Sequence, residues 1–143
     1  MLYSSDEYKG IAESLIRTLP EFQAIREAEP KIAYLASDEE KKKNRKIIFG
    51  DCNLVSNRYK WCCPYDFFIV IYEPNVTGYG LDEKQKETLV RHELHHIGVD
   101  FEGNENRYYI VPHDIEEFWH IIEDCGLRWC EMNGERREPE QSG

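Results

Sequence analysis

The chain has five histidines, and three of them, His92, His95 and His96, fall within five positions of the segment VRHELHHIGVD (90–100). On a helix, side chains four residues apart lie about 40° apart and one turn up. His92 and His96 can therefore point at one ion held roughly 2.0–2.1 Å from each nitrogen. Glu93 falls about 100° from His92 and about 60° from His96. That is too far round for a third ligand, yet close enough to reach a water on the ion, which is the H-E-x-x-H spacing of a zinc hydrolase. The competing reading is a surface helix with histidines on its wet side. A capped helix, an apolar opposite face of Val90, Leu94 and Ile97, and a preceding buried strand favour the metal. His95 is also one turn from His92 and offers an alternative pair; the expected role is a flanking polar residue or a partner to a ligand.

A catalytic zinc keeps three protein ligands and one open position. A metzincin would place glycine at 99 and histidine at 102, but this chain has Val99 and Glu102, with Gly98 one residue early. In gluzincins a glutamate from a later helix completes the set, which nominates Glu116 and Glu117. Glu117 is spaced as the capping-box partner of Asp114, and Glu116 as a first-turn acid. His113 is favoured as third ligand, followed by Glu117 and then Glu102. It stands between a strand and a helix, with Pro112 limiting the backbone before it. Asp114 either caps its helix or accepts a hydrogen bond from a liganding imidazole. Tyr108, Tyr109 and His95 are candidates to stabilise an oxyanion. His120 lies off the apolar stripe of its helix and is expected to face solvent.

These residues need a scaffold, and 143 residues suffice for one domain over 1–143, with about 132–143 expected to fray. An apolar fraction of 41% and an aromatic fraction of 13% suit a folded globular chain. No apolar run approaches the roughly 20 residues of a membrane span, and the polar start MLYSSDEYKG lacks the features of a secretory signal. No membrane partner and a cytoplasmic location, in a bacterial or phage-infected cell, are expected. The net charge of −10 disfavours nucleic acid, and the basic stretch KKKNRK (41–46) reads as a solvated loop. Five cysteines without a C-x-x-C pair read as reduced thiols, mostly buried.

The spacing of Tyr8, Ile11, Ala12, Leu15, Ile16 and Leu19 predicts an N-terminal helix with Ser4 and Glu7 as a capping box. Pro20 opens a second short helix to about Ala28. KIAYLAS (31–37), the Gly50-interrupted KIIFGDCNLVS, DFFIVIYEP (66–74) and RYYIVP (107–112) read as strands. DFFIVIYEP should be the best buried, and its edge is a candidate for binding an extended peptide by strand addition. A helix over 82–97, with Asp82 and Gln85 at its cap and Gly98 at its end, carries the histidines. A last helix begins at Asp114, with Phe118, Ile121, Ile122 and Cys125 as its stripe and Gly126 at its end.

LVRHELHHIGV, followed by VPHDIEEFWHIIEDCGLRW and preceded by KIAYLAS and FFIVIYEP, resembles the phage metallopeptidase family, small proteins encoded by phages and prophages. The likeness covers roughly residues 30 to 130. The family's H-E-x-x-H and H-D-x-E-x-F segments are matched here by His92, Glu93, His96, His113, Asp114, Glu116 and Phe118. The resemblance implies an α+β, zincin-like single domain akin to SprT-type and minimal gluzincin domains. An N-terminal helix, a small mixed or antiparallel sheet packed on the H-E-x-x-H helix and a C-terminal helix would compose it. It also strengthens His113 as a ligand. The implied activity is hydrolysis of a protein or peptide substrate with one Zn2+, Glu93 acting as general base. Two alternatives stand beside it: a zinc-bearing, non-catalytic binding or regulatory protein of phage origin, and an SprT-like DNA-associated protease. The sequence leaves the oligomeric state open.

Overall fold

The computed structural model describes residues 1–101 and 107–114. The chain divides into two compact units, Met1–Pro112 and His113–Gly143. All the strands and helices described here belong to the first, which is an α+β unit built on a four-stranded sheet.

The sheet has the order β1 (Leu2–Ser4), β2 (Ile32–Ser37), β6 (Phe67–Tyr72), β5 (Gly50–Leu54). β6 runs parallel to β2, with Ala33 opposite Phe68, and antiparallel to β5, with Cys52 opposite Ile69. A strand hydrogen-bonded to neighbours on both sides has little contact with water and suits a run of β-branched and aromatic residues. Accordingly Phe67, Ile69 and Ile71 are fully buried and Val70 nearly so. The same position overturns the expectation that this segment offers its edge to a peptide. Both of its edges are taken, and β5 is the outer strand on that side.

The N-terminal helix α1 (Asp6–Thr18) buries Tyr8, Ala12 and Leu15 as its periodicity predicts. Its cap is Ser5, whose hydroxyl accepts from the Tyr8 N–H at 3.2 Å, rather than Ser4. Ser4 is unavailable because it pairs with Leu35 as the end of β1. A 3-10 turn at Pro20–Phe22 leads into α2 (Gln23–Ala28), and Glu29, at φ 53°, ends it before Pro30. After β6 the chain turns directly into α3 (Glu73–Gly78), with Pro74 in the first turn, where a missing N–H costs nothing.

KKKNRK is not a loop. Lys42–Lys43 (β3) and Lys46–Ile47 (β4) form a small antiparallel hairpin, turning through Asn44 and Arg45 at φ 53° and 67°. The core lies between α1, α2, α4 (Glu83–Leu94) and one face of the sheet, where Tyr8, Phe22, Phe67, Ile71, Val90 and Leu94 are all at most 2% exposed. Each such apolar side chain contributes on the order of 1.5–3 kcal/mol by leaving water. Among the described residues no helix is long and apolar enough to cross a membrane. The predicted helix from Asp114, with Phe118, Ile121, Ile122, Cys125 and Gly126, and the tail lie outside the described residues.

Candidate metal centre

α4 begins at a reciprocal capping box: Asp82 accepts from the Gln85 N–H at 2.8 Å, and the Gln85 side chain accepts from the Asp82 N–H at 2.9 Å. Val90 and Leu94 turn inward as expected, and Ile97 is buried beyond the helix. The helix is shorter than its pattern suggests, because it ends at Leu94 with His95 as cap. The His96 N–H closes a tighter turn on the Glu93 carbonyl at 3.1 Å, and β7 (Ile97–Asp100) starts at the next residue. β7 pairs with β8 (Arg107–Ile110), Ile97 opposite Ile110 and Gly98 opposite Tyr109. β-branched Ile97 and Val99 gain cross-strand partners there that a longer helix would forgo. Gly98 is therefore a strand residue rather than a helix stop. A β-carbon on Gly98 would come within 2.4 Å of the Tyr109 ring.

The H-E-x-x-H pattern is thus divided between the last helical turn and the turn that follows. The two imidazoles still meet, with ring centroids 5.1 Å apart and planes at 75°. His96 Nδ1 lies 2.6 Å from the Val111 carbonyl oxygen, and the Val111 N–H donates to the His96 carbonyl at 2.7 Å. A carbonyl only accepts, so Nδ1 carries the hydrogen of this contact, and a backbone carbonyl on one ring nitrogen is the kind of partner that orients a liganding histidine. One ring nitrogen from each of His92, His96 and His113 lies within 4.8 Å of the other two, a group that could hold a metal ion. Three imidazoles form a donor set that suits zinc.

Glu93 is 4% exposed, and burial, reinforced by the Asp51 charge, pushes its carboxyl up to about 7. It is admitted by Gly50 at the start of β5: a β-carbon there would sit 3.2 Å from Glu93 Oε2 and 3.1 Å from Ile71 Cδ1. Cys52 is pushed up to about 12 by burial and then by the charges of Glu93 and Asp51.

The remaining candidates are spread more widely. His95 contacts the Glu21 carboxylate and packs on Phe22 at 5.0 Å, while Arg91 grips the same carboxylate at 2.7 and 2.8 Å. These contacts tie the end of α4 to the 3-10 turn. Tyr108 sends its hydroxyl to the Ala28 carbonyl at 3.3 Å and sets its ring against Phe67. Tyr109 is half-exposed over Gly98. Asp114 is exposed. Glu102, Glu116, Glu117 and His120 lie outside the described residues. Sequence reasoning missed Gly50, Val111 and Glu21. Only Gly50 left a signal, as a break in a strand pattern.

A buried carboxylate between histidines able to share an ion, on an α+β scaffold, is the chemistry of a metal-dependent hydrolase. The family model described as "Putative phage metallopeptidase" matches residues 1–136, and the chain belongs to that family. The family's description implies a metal and a protein substrate. No curated protein and no solved structure matches the chain.

Proposed function

We propose that this chain is a zinc-dependent endopeptidase with a zincin-like architecture, His92, His96 and His113 holding one Zn2+ and Glu93 serving as general base. The observation that carries it is the convergence of three histidine ring nitrogens within 4.8 Å, two of them flanking the buried Glu93 in one short segment. When bound, the ion lowers the pKa of water towards 7 and polarises a scissile carbonyl. Glu93 takes the proton of the attacking water on its carboxylate and returns it to the departing amine nitrogen. Its burial suits this work, because a carboxyl lifted towards neutrality holds a proton more readily than an exposed one. A nearby 2+ charge would draw its pKa back down, so the resting protein presents the carboxylate at neutral pH. The Val111 carbonyl keeps His96 in the liganding tautomer.

The test is Glu93→Gln in the full chain, assayed for zinc content and for cleavage of an unfolded protein such as reduced casein. The variant should retain zinc and lose roughly 10²- to 10⁴-fold in cleavage rate, the range for removing a general base. Cleavage at the parent rate would sink the assignment.

A further inference from the structure

The β3–β4 hairpin carries four cations, Lys42, Lys43, Arg45 and Lys46, on residues that are all exposed. Lys43 and Lys46 stand directly opposite each other, and like charges so placed destabilise a hairpin. Arg45 further holds φ 67°, a left-handed conformation that costs energy for a side chain of its size. None of the four forms an ion pair among the described residues, although the chain has 28 acids against 18 Lys and Arg. Of the adjoining acids, Asp38 and Glu39 engage the N-terminal ammonium at 2.6 and 3.1 Å, which leaves Glu40 as the nearest counter-charge in sequence.

This unfavourable arrangement is mounted on a fixed base. The buried Asn75 donates from Nδ2 to both flanking carbonyls, Lys41 at 2.9 Å and Ile48 at 2.7 Å. Lys41 itself pairs with Asp51 at 2.5 Å, which also accepts from the Tyr72 hydroxyl at 2.6 Å. A merely solvated loop needs no such anchorage. The placement is equally telling: Ile47 is three residues from Gly50, hence within about 10 Å of it along an extended chain, and Gly50 is the residue that admits Glu93.

We propose that this hairpin is a docking site for an acidic segment of the protein substrate, engaged a few residues from the bond to be cut. The substrate assignment rests on the peptidase reading; the docking chemistry does not. The partner is an acidic peptide rather than a nucleic acid on two grounds. Residues 41–47 include no aromatic ring on which a base could stack. A long phosphate backbone would also meet the repulsion of a body with net charge −10, whereas a short acidic segment meets only the hairpin.

The test is fluorescence anisotropy of a short labelled oligo-glutamate peptide against the full chain, beside a single-stranded oligonucleotide, a duplex and phosphatidylserine vesicles. The peptide should bind, weaken as salt shortens the Debye length from about 10 Å at 0.1 M to about 3 Å at 1 M, and bind at least about tenfold more weakly to Lys43→Glu/Lys46→Glu. Lys43→Gln/Lys46→Gln removes the charge without introducing repulsion and should show the same loss in a smaller degree, with an unchanged circular dichroism spectrum. Glu93→Gln should bind the peptide as the parent does, so failure of the hydrolase assignment would leave this result standing. Absent peptide binding, equal binding by both hairpin variants, or tighter hairpin-dependent binding of oligonucleotide or vesicle would overturn the proposal.

Discussion

Gly50 on the outer strand and Glu93 on α4 are fitted to each other: a methyl group on Gly50 would stand 3.2 Å from the carboxylate oxygen Oε2 and 3.2 Å from the Val70 carbonyl. The backbone oxygen cannot yield, so the side chains must. Gly50→Ala is expected to shift the Glu93 carboxylate, lower cleavage of casein by more than tenfold and destabilise the fold by about 1–3 kcal/mol through overpacking. Chemical denaturation with the rate assay checks both. An alanine variant as active and as stable as the parent would show that the contact is slack.

Glu93 should also make the metal-free protein respond to pH. Its carboxyl is raised from 4.5 to about 7 in the fold, so the folded state holds a proton that the unfolded chain releases earlier. The stability this contributes is fully present below about pH 4.5 and lost as pH rises through about 7, at most on the order of 3 kcal/mol. In chelator-treated samples Glu93→Gln should therefore gain stability over the parent as pH climbs from 4.5 to 8. A difference that does not change with pH would contradict the burial assigned to this group.

The two neighbouring histidines should behave differently. His95 is turned to Glu21 and Phe22, whereas His96 is held by Val111. His95→Ala is expected to keep a full equivalent of zinc and to cost about 1 kcal/mol or less, since its carboxylate contact is largely exposed. His96→Ala should lose most of the zinc, together with the rise in Tm that the ion confers on the parent. Plasma emission spectroscopy and thermal melts separate the two, and zinc lost equally from both would contradict this division.

Cys52 and Cys62 offer a contrast in reactivity. The Cys52 thiol is pushed up to about 12, and Cys62 is exposed on the turn after Tyr59. The thiolate is the reacting species. Iodoacetamide at pH 8 should thus label Cys62 well before Cys52 in the folded protein, with both labelled in denaturant. Peptide mapping reads the order directly; faster labelling of Cys52 would mean that β5 opens.

The parts of this protein legible in its sequence are those fixed within one turn or one strand. Asp82 and Gln85 announce the start of α4, the spacing of Tyr8, Ala12 and Leu15 gives the buried face of α1, and the apolar run from Phe67 marks the central strand. The meeting of His92 with His96 follows from spacing alone, because side chains one turn apart need nothing distant to bring them together. Tertiary structure decided what depends on partners far along the chain. Pairing of Ile97 and Val99 with β8 ends α4 at Leu94, capture of Ser4 by Leu35 moves the cap to Ser5, and the hairpin fixed by Asn75 orders the basic run. His96 and Val111 are likewise far apart along the chain, and Glu93 and Gly50 farther still. Local pattern carries the energetics of caps and periods, but strand pairing and steric fit are set by residues that meet only once the chain has closed.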